Sequence, residues 1–252
     1  MKKTLITLIL INLLFSCSND ESANNDELNI QLTECIPINL QNSVVAYYPF
    51  TNGSINDFSG NSQNLVNNNA SSTSDRNGNE NCAFEFDFLS GTNENLYTSN
   101  TSSLDVLTDF SISLWYQPLQ ERDAGDYELL IGRGIDFQQW NLGLYDCRKA
   151  VFGCISYVWD NDTNFDCGVS DINNEWHHLV ATYNYSTSSL ALYRNGVLQE
   201  TINAPNNSNS IQIADLIIGN EYTGKIDDIA IFNISLNQLQ VTEMFEMETC
   251  CS

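Results

Sequence analysis

The chain has 252 residues, 42% hydrophobic and 11% aromatic, enough apolar surface for one large domain or two small ones. Charged residues make up only 16%, and 32 acids against 9 bases give a net charge of −23, which repels phosphate backbones and excludes a nucleic-acid partner. Asn, Ser and Thr supply much of the polar surface, and these residue types favour turns and open loops.

In chain order, Lys2 and Lys3 precede the apolar run Leu5–Leu14, which is too short to span a bilayer and suits a secretory signal. The run ends in Leu14-Phe15-Ser16-Cys17, which resembles the lipobox of bacterial lipoproteins. That resemblance implies a signal peptide over 1–16, acylation of Cys17, and a membrane partner reached through the N-terminal lipid. A cleaved signal with Cys17 unmodified is the alternative. Residues 17–34 are polar and acidic, cannot bury themselves, and read as a flexible tether. An acidic patch directly after the lipid resembles the surface-export signal of some Gram-negative lipoproteins. It implies an outward-facing outer-membrane lipoprotein, with a periplasm-facing anchor left open.

Residues 35–252 read as one all-β domain. Short runs rich in β-branched and aromatic residues alternate with Asn/Gly/Ser/Asp clusters. Strands are expected at Val44–Phe50, Ala83–Phe88, Asn95–Thr98, Phe110–Gln117, Tyr127–Gly132, Trp140–Tyr145, Val151–Trp159, Phe165–Val169, Trp176–Tyr183, Ser189–Arg194, Ile211–Ile218 and Gly224–Phe232. Asn195-Gly196 between two apolar runs is a hairpin signal, and Asn52–Asn69 and Asn203–Ser210 read as loops. Alternation puts Phe110, Ile112 and Leu114 on one face and Ser111, Ser113 and Trp115 on the other, as two packed antiparallel sheets require. One helix is expected near the end, where Ser235 and Gln238 form a capping box and Leu236, Leu239, Met244 and Phe245 share a face.

The eight cysteines are Cys17, Cys35, Cys82, Cys147, Cys154, Cys167, Cys250 and Cys251, and export suits disulfides. With Cys17 lipidated, at least one is left free or pairs between chains. No C-x-x-C pair occurs, so the set reads as staples and not as a metal site. Cys35 with Cys250 or Cys251 closes the domain if the chain ends meet; Cys147, Cys154 and Cys167 offer another bridge, and connectivity stays open.

Four ordered segments resemble the laminin-G-like jelly-roll family of the concanavalin A-like lectin/glucanase superfamily. They are Tyr47-Tyr48-Pro49-Phe50 with Asp57-Phe58-Ser59-Gly60-Asn61; Asp109 through Trp115; Glu175 through Tyr183 with Leu192 through Gly196; and Gly224 through Asn233. The resemblance implies a two-sheet antiparallel jelly-roll sandwich with adjacent chain ends and a short C-terminal helix. It also implies a structural Ca²⁺ held by Asp57 and by Asp227 or Asp228, hard oxygen ligands of the kind that ion takes.

His177 and His178 point to opposite faces of one strand, cannot share a metal, and read as framework. Glucanases of this superfamily place Glu-x-Asp-x-Glu or Glu-x-Asp-x-x-Glu on one strand. Here Glu85-Phe86-Asp87-Phe88-Leu89-Ser90 lacks the third carboxylate, so no catalytic residues are assigned. Trp140 with Gln138, Gln139 and Asn141, and Trp159 with Tyr157, Asp160 and Asn161, have the residue types of a sugar platform, although core burial is the plainer reading of both tryptophans. The expected function is therefore a surface-anchored, non-catalytic binding or adhesion module, first for a glycan. A protein-interaction or structural lipoprotein and a divergent glycan hydrolase are the alternatives. Ligand-binding residues and oligomeric state are not readable at this stage.

Overall fold

The computed structural model describes residues 35–120, 125–134, 139–154, 158–162, 174–203 and 213–251. Cys17, the leader, the tether and the strand expected at Phe165–Val169 lie outside the described residues. In chain order the strands are β1 (Val44–Tyr48), β2 (Val66–Asn68), β3 (Ser71–Thr73), β4 (Ala83–Asp87), β5 (Asn95–Thr98), β6 (Phe110–Pro118), β7 (Tyr127–Arg133) and β8 (Trp140–Tyr145). They continue with β9 (Lys149–Cys154), β10 (Val158–Asn161), β11 (His177–Asn184), β12 (Ser189–Arg194), β13 (Val197–Asn203), β14 (Leu216–Ile218) and β15 (Thr223–Phe232), followed by helix α1 (Gln238–Phe245).

Among the described residues these strands form two sheets. One is ordered β13-β12-β11-β6-β15-β4-β3, with β1 also pairing β15, and the other β10-β9-β8-β7-β14-β5-β2. This is the expected antiparallel jelly-roll sandwich. The inner faces meet because alternation delivers apolar side chains to one side of each strand. Phe110, Ile112 and Leu114 share one buried cluster with Leu179, Tyr183, Leu142, Leu144 and Phe152. Phe110 lies with its ring centroid 5.8 Å from Trp140, 6.3 Å from Phe152 and 5.7 Å from Tyr183. Each such side chain contributes about 1.5–3 kcal/mol by leaving water.

The first sheet is covered on its other face too. Val180, Tyr193, Ala230 and Phe232 form a second cluster with Ile36 and Leu40 before β1 and with Val241 and Met244 of α1. The helix begins at a capping box two residues later than expected. Asn237 Oδ1 accepts from the Gln240 amide at 3.1 Å, and Gln240 Oε1 accepts from the Asn237 amide at 2.9 Å. This shift turns Leu239 outward, 68% exposed, where the sequence reading had placed it on the inner face.

Three other expectations are corrected. The run Val151–Trp159 is two strands, β9 and β10, which pair antiparallel with Val158 opposite Cys154; the sequence between them, Ile155-Ser156-Tyr157, has no Gly, Pro or Asn to signal a break. The stretch read as a loop before Asn69 contains β2, and Ser71–Thr73 follows as β3; both are short and largely exposed, so burial gives them no apolar alternation. The strand expected at Ile211–Ile218 is described only at Leu216–Ile218.

The chain ends do meet. Cys35 bonds Cys250 with a Cα separation of 5.3 Å, and Cys82 bonds Cys251 with 5.7 Å, both within ordinary disulfide reach. Cys147 is disulfide-bonded as well. Because the two terminal bridges close loops with sequence separations of 215 and 169, each restricts the unfolded chain strongly. Replacing Cys35 and Cys250 together by serine is expected to cost about 2–5 kcal/mol, read as a lower urea midpoint with an unchanged spectrum of the folded state.

Candidate functional site

The outer face of the second sheet carries a groove of about 590 Å³, inside the roughly 300–1,000 Å³ range of small-molecule sites. Its lining includes Tyr97 and Tyr127, the amides Asn93, Asn95, Asn141 and Asn220, the acids Asp215 and Glu221, and Leu129 and Ile217. Strand register builds this floor. Tyr97 of β5 stands opposite Ile217 of β14, Ile217 opposite Gly132 of β7, and Gly132 opposite Asn141 of β8, so one row crosses four strands. Residues on either side of that row, such as Leu96, Ile218 and Leu142, point into the core.

Two glycines keep the floor open. A Cβ on Gly132 would overlap Asn141 Oδ1 and lie 2.9 Å from Leu129 Cδ1, and one on Gly143 would lie 2.7 Å from the Tyr127 hydroxyl. The Asn141 side chain is held over Gly132, 3% exposed, with Nδ2 unpaired among the described residues. Beneath Tyr127, its neighbour Glu128 is buried and takes a two-point contact from Arg148, at 2.7 Å from Nε and 3.0 Å from Nη2. The Thr223 amide also donates to Glu128 at 3.1 Å, which ties the start of β7 to β15.

The sequence reading found part of this groove. Asn141 lines it, but its neighbour Trp140 does not: alternation turns the indole inward to Phe110, leaving it 4% exposed. Gln139 is buried, and Gln138 and Tyr157 lie outside the described residues. Trp159, Asp160 and Asn161 are described only as backbone of β10. Tyr97, Tyr127 and the loop acids were missed because no motif distinguishes an outward tyrosine on a half-buried strand from a core one. Their signal was the outward register they share with Asn141.

At the other end of the fold lie the carboxylates singled out from sequence. Asp57 Oδ1 accepts from the amides of Tyr47 at 3.0 Å and Ser59 at 2.9 Å, and Oδ2 from the Ser59 hydroxyl at 2.9 Å and the Gln63 amide at 3.0 Å. Strand parity puts Asp227 and Asp228 on opposite faces, yet both reach Arg76, whose Nη1 lies 3.3 Å from Asp227 and 2.6 Å from Asp228. A bulge between Asp227 and Ala230, with Asp228 at a φ of 45°, breaks the parity. The guanidinium lies 4.4 Å over the Trp115 ring, which stacks on Phe245 of α1. Burial and the adjacent Asp228 charge raise the Asp227 carboxyl well above the ordinary carboxylate range; burial raises Asp228 too, and Arg76 opposes both. His178 is buried beside them, bonded through Nε2 to the Ser113 hydroxyl at 2.8 Å, and burial with the Arg76 charge lowers its pKa to about 3. His177 rests on the Tyr116 ring at 5.6 Å. Both histidines are framework.

A family model described as the concanavalin A-like lectin/glucanases superfamily matches residues 90–242. The chain belongs to this superfamily. Among curated proteins none matches the sequence. Among solved structures, the binding domain of Paraclostridial Mosquitocidal Protein 1 is 22% identical with a TM-score of 0.66, over 81% of this chain and 52% of that one. A botulinum neurotoxin type C structure, from a toxin whose cell entry depends on two ganglioside molecules, is 16% identical with a TM-score of 0.66, over 82% and 51%. The binding domain of botulinum neurotoxin DC in complex with rat synaptotagmin II is 16% identical with a TM-score of 0.65, over 82% and 52%. The chain spans about half the length of these structures, and the likeness is one of fold.

The superfamily's glucanase carboxylates have no counterpart in the groove. Glu85 and Asp87 sit on β4 of the opposite sheet, where Thr73 approaches Glu85 at 3.4 Å and Asp87 caps the Ser90 amide at 3.1 Å. Nor do Asp57, Asp227 and Asp228 fit a shared calcium ion. Asp57 is saturated by four protein donors on the edge of β1 away from β15, while a guanidinium already stands between the other two. Among the described residues no group of three or more His, Cys, Asp or Glu is arranged to hold a metal. Chelator is therefore expected to leave the melting midpoint unchanged.

Arg76→Gln is expected to cost about 3–5 kcal/mol near neutral pH, because it strands two buried carboxyls without a counter-charge. Their folded-state pKa values are raised, so the folded chain holds protons that the unfolded chain releases, and stability from this pair falls as pH rises. The variant's deficit relative to wild type should thus shrink between about pH 8 and about pH 5. His178 titrates in the opposite sense, and loss of the Arg76 charge relaxes part of its lowering, which narrows the deficit further on the acid side. Urea melts at the two pH values check this; an equal deficit at both would contradict it.

Proposed function

We propose that this protein is a non-catalytic binding module, displayed on the outer membrane by an acylated Cys17, whose groove on the second sheet holds a glycan. The observation that carries the reading is the groove itself: half-buried tyrosines at Tyr97 and Tyr127 beside four asparagines and two acids. Sugar rings present apolar C–H faces and a rim of hydroxyls. Tyrosine offers an apolar ring with a polar tip, and an amide both donates and accepts, so this lining matches both features. A buried Asn141 amide with an unpaired donor gains most from a ligand hydroxyl, because a buried donor left unmade is costly.

Asp215 and Glu221 are exposed, outside the apolar pocket that a glycosidase acid requires, which favours binding over cleavage. The anchoring half of the proposal is supported by Leu14-Phe15-Ser16-Cys17 and by the acidic residues that follow it. Protein recognition is the second reading, favoured by the structural neighbour in complex with rat synaptotagmin II.

The test is a glycan array with the secreted Cys17→Ser chain, followed by titration calorimetry on any hit. Tyr97→Ala is expected to weaken binding by about tenfold, the loss of one aromatic contact, with the melting midpoint held. Asn141→Ala is expected to weaken it by a similar factor of about ten. A hit indifferent to both substitutions would place binding elsewhere, and a blank array would favour a protein partner.

A further inference from the structure

Resting on the glycan reading of the groove, we infer that the site runs on past it to Tyr145, and so takes an extended glycan chain and not a single terminal sugar. Alternation puts Asn141, Gly143 and Tyr145 on the outer face of β8. Tyr145 ends that strand, is 47% exposed, and stands directly opposite Tyr127 of the groove's lining. Cross-strand partners of this kind bring their Cβ atoms to about 5 Å. Gly143 separates Tyr145 from Asn141 on the same face, and a Cβ there would lie 2.7 Å from the Tyr127 hydroxyl, so the Tyr127 ring leans over it. Aromatic surface therefore passes from the groove to Tyr145 with no side chain of β8 standing between.

The two tyrosines are held in place by the framework beneath them. Tyr145 pairs with Lys149 across the turn that follows it. Within that turn Cys147 is disulfide-bonded, and Arg148 makes its two-point contact with Glu128, the residue next to Tyr127. The ends of β7 and β8 are thus fixed to each other before a ligand arrives, which lowers the ordering cost of binding.

The dimensions set the class of ligand. Tyr97 on β5 and Tyr145 on β8 are three strand spacings apart, about 14 Å. Tyr145 also lies four residues along β8 from Asn141, which shares the row of Tyr97, and that adds about 13 Å in the perpendicular direction. The diagonal between the two tyrosines is therefore about 20 Å. It passes Ile217, then Leu129 and Tyr127, whose apolar faces suit sugar C–H faces, while Asn141 and Asn220 supply amides beside it. A pyranose ring of about 1.5 Å bonds, with its bridging oxygen, advances about 5 Å, so about four rings in an extended linkage cover the diagonal.

Oligosaccharide ladders from one to six rings of the cellulose, xylan, mannan and chitin types, with the same series from any array hit, test the inference. The probe is the full mature chain carrying Cys17→Ser, titrated by calorimetry. Affinity is expected to rise by at least about tenfold from disaccharide to tetrasaccharide and then to level off. Tyr145→Ala is expected to weaken the tetrasaccharide and longer members about fivefold, leaving the disaccharide and the melting midpoint unchanged. Tyr145→Phe, which keeps the ring, should bind like wild type, and Asn141→Ala should weaken every length. A hit bound as tightly as one ring as it is as six would overturn this inference and leave the glycan reading standing. Longer members indifferent to Tyr145→Ala would do the same. Array and ladders blank throughout would remove the glycan reading and this inference together.

Discussion

Strand β15 must change partners halfway along, and much of the fold's organisation follows from that change. On one side it pairs β6 along its length, while on the other it pairs β4 through Thr223–Ile226 and then β1 through Ile229–Phe232. Asp227 and Asp228 fall at the switch, where neither neighbour supplies a ladder partner. A bulge there sends both carboxylates to one place inside the protein, where unpaired charge is expensive. Arg76, from the turn between β3 and β4, supplies the counter-charge. The turn that carries it is itself tied down: Asp75 accepts from the Asn77 and Asn79 amides at 2.9 Å, and Asn79 reaches the Cys251 carbonyl at 2.8 Å. The terminal disulfides therefore act on the same junction that the ion pair neutralises.

That junction also decides which face of the sandwich is free. The segments entering β1 and leaving β15 both converge on the first sheet, where α1 and the N-terminal turn cover Val180, Tyr193 and Phe232. The central strands of the first sheet are thus buried on both faces, while its edge strands β13 and β3 stay largely exposed. The second sheet receives no such cover from the described residues at its Tyr97–Asn141 row, where Tyr97, Gly132 and Asn141 stand beside Ile217 and Leu129. Gly132 and Gly143 are needed there for a steric reason, since side chains at those positions would collide with Asn141 and Tyr127.

The sequence made the strands legible wherever alternation was strong, as in β6, β11 and β15, and made chain closure legible through Cys35 and Cys250. It misled where a local rule met a tertiary exception. Parity assigned Asp227 and Asp228 to opposite faces because a bulge has no reliable sequence mark; an aspartate at positive φ is tolerated but not announced. Resemblance suggested a calcium ion held by Asp57 and by Asp227 or Asp228, and both of the latter face a guanidinium drawn from a turn some 150 positions earlier in the chain. The groove was half legible. Asn141 stood among the polar groups noticed beside Trp140, whereas Tyr97 and Tyr127 become distinguishable from core tyrosines such as Tyr48 and Tyr183 only once register is known.

The distribution of charge then links stability to recognition. A chain with 32 acids and 9 bases cannot neutralise its carboxylates generally, so its few guanidiniums matter most where carboxylates are buried. Glu128 at 1% exposure has Arg148, Asp162 at 1% has Arg194, and Asp227 at 1% has Arg76. The acids that stay in water, Asp215 and Glu221 among them, have solvent to stabilise them. The four described arginines are consequently drawn into the framework. Moving an arginine to the groove would leave a buried carboxylate behind it, which costs more than a surface pair returns.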